Sequence, residues 1–135
     1  MATEPISHKL KLAVALSLIA GVLILCEGLI SVPYMWSDYW VHGQFIWHSS
    51  FSISLMIVSG ALITVSAAFL YRNPQQHHTF GLIILLASPL SLLALGIASP
   101  RDHIPSVTIA TILMFTGMVG GALSITYKHK EKQNN

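Results

Sequence analysis

Four long apolar runs separated by short polar links fill most of this 135-residue chain and leave it few ways to fold. They cover about residues 12–30, 45–71, 80–98 and 106–127. Each is near or above the roughly 20 residues that an α-helix needs to cross the hydrocarbon core of a bilayer. Lipid offers no hydrogen bonds to an open backbone, so a spanning segment of this kind has to be helical. Composition points the same way. Only 9% of the residues are charged and 53% are hydrophobic, whereas a soluble domain carries roughly a quarter charged residues. The expected architecture is all-α: a single transmembrane domain over residues 1–135, built as an integral membrane four-helix bundle, with a basic tail at 128–135. The net charge of +2 is too small to imply nucleic acid, and the basic residues sit at helix ends.

The first run starts beside Lys9 and Lys11, as a secretory signal would. Its apolar stretch exceeds the roughly 7–15 residues of a signal core. It also contains Glu27 and no small-residue cleavage pattern follows it, so it is expected to be a retained helix. Prolines punctuate the rest. Pro33 is expected to stop the first helix, Pro74 to lie in the second link and Pro105 to open the fourth helix. Pro89 falls inside the third helix, where it frees a carbonyl for which Ser88 is a candidate partner.

Orientation follows from the basic residues. Lys9, Lys11, Arg72, Lys128, Lys130 and Lys132 share one side, and Arg101 alone is on the other. Cytoplasmic loops carry the excess of Lys and Arg. A multi-pass protein of the cell membrane with both termini cytoplasmic is expected, and residues 31–50 and 99–105 then face outward.

Small residues recur every seven positions: Gly21 and Gly28, with Ser17 a turn before; Ser52, Ser59 and Ser66; Ala110, Gly117 and Ser124, with Gly121 a turn after Gly117. Each set makes a stripe on one helix face. Small stripes let helix backbones approach in lipid, where no hydrophobic effect separates helix from solvent. Their expected role is packing inside the bundle, with association to another subunit or a second copy as the alternative.

Few residues bear chemistry. Glu27 is the one acidic residue inside an apolar run. Intramembrane carboxylates face a bundle or a wet cavity, so it is either a proton or cation site or a group paired with Arg101, His48 or the serines that open the second helix. The outward stretch 31–50 gathers Tyr34, Trp36, Tyr39, Trp40 and Trp47, which fits an aromatic-rich interfacial loop, partly helical, at the head-group layer or a protein interface. The same side carries Asp38, His42, His48, Asp102 and His103. Carboxylate and imidazole suit copper or zinc, and Asp38 and His42 share a face if the segment is helical. No H-E-x-x-H or cysteine-based pattern supports a metal, and no cofactor is expected. His77 and His78 in the inner link, like His8 and His129 in the tails, are expected to be solvated or to face head groups. Cys26, the one thiol, cannot form an internal disulfide and is expected to be buried.

From the second helix onward, "SGALITVSAAFLYRNP", "FGLIILLASPLSLLALG" and "TGMVGGAL" resemble a loose group of small archaeal four-helix membrane proteins of unknown function. The resemblance implies the bundle and carries no catalytic residues over. Size, helix number and a carboxylate in the first helix are similar to the small multidrug-resistance transporters. Asp38, His42 and His48 are faintly similar to the copper ligands of membrane monooxygenases, which implies an accessory place in such a complex, as in an ammonia-oxidising archaeon. The sequence thus leads to a non-catalytic accessory or assembly subunit of a larger membrane complex, set in the lipid bilayer beside other membrane subunits. The alternatives are a small proton- or cation-coupled transporter using Glu27 and an outward copper or zinc site.

Overall fold

The computed structural model describes the backbone of residues 8–42, 47–98 and 104–127, and the side chains of residues 8–33, 50–93 and 108–127. The described residues form α1 (His8–His42), α2 (Trp47–Arg72), a 3-10 turn (Pro74–Gln76), α3 (His77–Ala98) and α4 (Ile104–Ile125), with no strand. α1 packs on α2 and α4, and α3 packs on the same two helices, so the four close into a bundle. Neighbours run antiparallel: Gly21 lies against Thr64 and Gly28 against Ile57, while Gly81 lies against Ser124 and Gly117 against Ser88.

Sequence periodicity explains the closure. Along α1 the buried positions step through 10, 14, 17, 21, 24 and 28, and along α2 through 52, 56, 59, 63, 66 and 70. Steps alternating between four and three residues average 3.5, slightly under the 3.6 of a straight helix. A seam with that period keeps facing its neighbour only if the helices coil around one another. The stripe residues are small, so the backbones come close. A methyl added at Gly60 would lie 2.6 Å from the Leu25 amide nitrogen, and one at Gly121 would lie 2.9 Å from the Gly81 carbonyl oxygen. Neither obstacle is a side chain that can rotate away.

Outside the seams the helices are apolar. Ile30, Leu86, Leu93 and Ile112 are 63%, 62%, 59% and 59% exposed. Water would penalise so many exposed large apolar side chains, whereas lipid accepts them. All four helices are long and apolar enough to cross a membrane.

Two expectations about α1 and α3 change. Pro33 does not stop the first helix, because α1 runs through it to His42. A proline removes one backbone bond, here the one to the Leu29 carbonyl, and the later turns can still form. The outward stretch, expected to be partly helical, is helix over residues 31–42 and from 47 onward, and residues 43–46 lie outside the described part. Ser88 donates to the carbonyl of Ile84 at 2.7 Å. The carbonyl that Pro89 frees is that of Leu85, so Ser88 makes the ordinary bond of a helix serine to its own preceding turn.

Candidate functional site

Arg72, His8, His77 and Tyr127 lie at one end of the bundle, here the basic end. The opposite, far end holds the end of α1 and the start of α2.

Glu27 belongs to the far half. Ala13, Ala20 and Glu27 follow one another at intervals of seven residues, so they share one face of α1. That face runs along α4: Gly120 abuts the Ala13 carbonyl and Ser17, and Gly117 faces Ala20. One heptad further on, Glu27 meets the level of Ala110, which precedes Gly117 by seven residues on the antiparallel α4. The next residue, Gly28, already faces Ile57 and Met56 of α2. Glu27 is half-buried, at the rim of the α1–α4 seam. Around that rim, Leu23, Ile30 and Ile109 are 47%, 63% and 54% exposed. No described side chain pairs with the carboxylate. Ser31 lies one turn on and gives its hydroxyl to the Glu27 backbone carbonyl, at 2.8 Å, not to the carboxylate. Of the expected partners, Arg101 and the side chain of His48 lie outside the described residues.

Met56 and Ala110 form a small cluster with Leu55 against it. Ser52, Ser59 and Ser91 are buried in the far and middle parts of the bundle. Ser59 and Ser91 donate to the Met56 and Ser88 carbonyls on their own helices, at 3.1 and 2.7 Å. Their protons are thereby committed to the backbone. The Ser17 hydroxyl, also fully buried, has no partner.

The stripe residues Gly21, Gly28, Ser52, Ser59, Ser66, Gly117 and Gly121 are all buried. Sequence reasoning missed Gly60 and Gly81, which supply the facing sides of the α1–α2 and α3–α4 approaches. A signal was present, since Gly60 and Ala67, and Gly81 and Ser88, are also seven apart. Cys26 is exposed, contrary to expectation. It falls between the seam positions Ile24 and Gly28, and a thiol facing lipid costs little.

His77 departs furthest from expectation. His78 is exposed as a link residue should be, but His77 is buried, at 6% exposure. Its Nδ1 is 3.0 Å from the Pro74 carbonyl oxygen. A carbonyl can only accept, so Nδ1 is the donor in this contact. Nε2 is buried without a partner. From α4, Ser124 donates to the His77 carbonyl at 2.9 Å, and the Tyr127 ring meets the imidazole edge-on, with centroids 5.3 Å apart. The link between α2 and α3 is thereby fastened to the end of α4. These partners are 47 and 50 residues from His77, beyond the reach of local sequence patterns.

The remaining candidates lie partly or wholly outside the description. Tyr34, Trp36, Asp38, Tyr39, Trp40 and His42 are on the helical backbone of α1, and Trp47 and His48 open α2. Their side chains are not described, and neither is any part of Asp102 or His103. Among the described residues no three His, Cys, Asp or Glu side chains come together to hold a metal. No family model, curated protein or solved structure matches the chain.

Proposed function

We propose that this chain is a non-catalytic accessory or assembly subunit of a larger membrane complex, anchored by its bundle and docked through its far end. The observation that carries the proposal is the continuity of α1. The apolar run of the sequence ends near residue 30, yet the helix continues past Pro33 over residues 34–42. At about 1.5 Å per residue that is an extension of about 14 Å. Helical spacing puts positions 36, 39 and 40 on one face of this extension, and the sequence fills them with Trp, Tyr and Trp. Aromatic residues on a helix are efficient interface anchors, giving large contact area for little lost side-chain freedom.

The interior supports a scaffold rather than a transporter. Close backbone approach fills the seams, and the buried hydroxyls of Ser59, Ser88, Ser91 and Ser124 all donate to backbone carbonyls. The Lys and Arg bias sets the aromatic extension on the outer side of the cell membrane and both termini in the cytoplasm. The resemblance to small archaeal membrane proteins is compatible with a place beside a membrane oxidoreductase.

The test is a Trp36→Ala, Trp40→Ala double variant, solubilised gently and run by native electrophoresis. The proposal expects the wild-type chain in a large particle and the double variant released from it. Retention of the variant in the same particle would contradict docking through the extension. For orientation, a cysteine placed in the 128–135 tail of a Cys26→Ala chain should stay unlabelled by an impermeant thiol reagent in intact cells.

A further inference from the structure

We infer that the basic end of the bundle is a surface for anionic phospholipids, with Lys9, Lys11 and Arg72 binding their phosphate head groups. This surface is independent of docking through the far end and adds a partner at the other end of the molecule. The packing of the helices sets the level of the three cations. Gly28 faces Ile57 and Gly21 faces Thr64, so continuing the antiparallel register by seven residues puts Tyr71 beside Val14. Arg72 is then level with Ala13, and Lys11 and Lys9 lie about 3 and about 6 Å further out along α1 at 1.5 Å per residue. Gly120 abuts Ala13 and Ser17, and Gly81 abuts Ser124, which brings Tyr127 and His78 into the same layer. Lys9, Lys11, Arg72 and His78 are all exposed.

The layer carries uncompensated positive charge. Glu27, in the other half, is the one acidic residue whose side chain is described, so no described carboxylate reaches these cations. The sequence leaves the same excess. Lys9, Lys11, Arg72, Lys128, Lys130 and Lys132 are on this side against Glu4 and Glu131, so four cations remain over even if both glutamates are paired here.

The neighbours of the cations identify the occupant. Lys11 precedes the exposed Leu12, and Arg72 follows the exposed Tyr71, with exposed Phe69 one turn inward. Leu12 and Phe69 belong to the apolar wall that lipid tails cover. Long basic side chains lay their aliphatic stems along such a wall and extend the charged head to the interface. Tyrosine, with an apolar body and a polar tip, is favoured at that same level. The anions nearest to Lys11 and Arg72 are therefore the phosphates of the lipids whose tails cover Leu12 and Phe69. Acidic phospholipids add a net negative charge that zwitterionic ones lack, and cations at the membrane surface are attracted to them. With the termini in the cytoplasm, as proposed, this is also the leaflet that carries the negative surface potential.

The test uses the full-length chain reconstituted in phosphatidylcholine bilayers, with helical content checked. Trace spin-labelled phosphatidylglycerol is added to one sample and spin-labelled phosphatidylcholine to another. The fraction of each label slowed at the protein gives their relative association. Wild type should hold phosphatidylglycerol about twofold or more over phosphatidylcholine, and the preference should fall toward parity between about 0.05 and about 0.5 M salt. The Lys9→Gln, Lys11→Gln, Arg72→Gln variant should lose most of the preference. The charge-retaining Lys9→Arg, Lys11→Arg, Arg72→Lys variant and the far-end Arg101→Gln variant should keep it. Equal slowing of the two labels in wild type, or a preference indifferent to salt, would overturn the inference, and neither result needs a variant that folds. An unchanged preference in the neutralised variant, or an equal loss with Arg101→Gln, would also overturn it. So would inorganic phosphate that abolishes the preference where chloride of equal ionic strength does not, since the cations would then serve a soluble anion.

Discussion

Toward the basic end the bundle interior is filled by Leu10, Val14, Ile63, Leu70 and Ile84, with Phe80 and Tyr127 packed against them. Ile24 and Leu113 carry the same cluster into the far half, where Met56 and Ala110 form a smaller one, with buried serines and the half-buried Glu27 beside them. The basic end also has the polar fastening of Ser124 to His77, and the Phe69 and Phe80 rings stack across the α2–α3 junction at 5.7 Å. Among the described residues, the basic end thus shows stacked rings and a long-range hydrogen bond between helices, and the far half shows small residues and a carboxylate at the rim.

Five substitutions break or sharpen that contrast, and unfolding in mixed micelles measures each. The largest effect is expected at Gly60, in the α1–α2 seam where the two halves meet. Its added methyl would meet the Leu25 backbone at 2.6 Å, so Gly60→Ala forces two helices apart. The expected loss is about 3 kcal/mol, the upper part of the usual overpacking cost. A cost near zero would mean that the seam is looser than described. Next comes Leu70→Ala at the fully buried basic end. In lipid the water-transfer part of a Leu→Ala penalty is absent and the cavity remains, so about 2 kcal/mol is expected. An equal loss from Ser52→Ala in the far half would erase the difference between the ends.

Ser124→Ala removes a hydroxyl that reaches another helix's backbone at the basic end and should cost about 1 kcal/mol. The smallest effect is expected for Ser88→Ala. That hydroxyl is bonded only to its own helix at the Ile84 carbonyl, which already belongs to the backbone ladder, so a change within about 0.5 kcal/mol is expected.

Much of the fold was legible in the sequence, because lipid imposes both the length of a span and its helical form. The four runs appear as four helices, and the seven-residue spacing of small residues corresponds to buried seams. What stayed hidden was set by contacts distant in sequence or by position on the helix face. Pro33 looked like a stop because proline ends most soluble helices, yet one missing bond does not end a helix whose later turns can form. Cys26 looked like a core residue because cysteine is usually buried in water-soluble proteins, a preference that lapses where the solvent is lipid. His77 sits in a polar link, and only its contacts with Ser124 and Tyr127 bring it inside. Glu27 was conspicuous as a lone carboxylate, but its place on the α4 side of α1 emerged only from the packing of Ala13 and Ala20 against Gly120 and Gly117.

The central claim is that this bundle serves a larger assembly. Native mass spectrometry of the chain, extracted from its own membrane in a gentle detergent, tests that most directly. The account predicts a particle well above the 14.7 kDa of one chain, containing at least one different membrane polypeptide at fixed stoichiometry. A spectrum showing only the single chain, or only copies of it, would contradict the account.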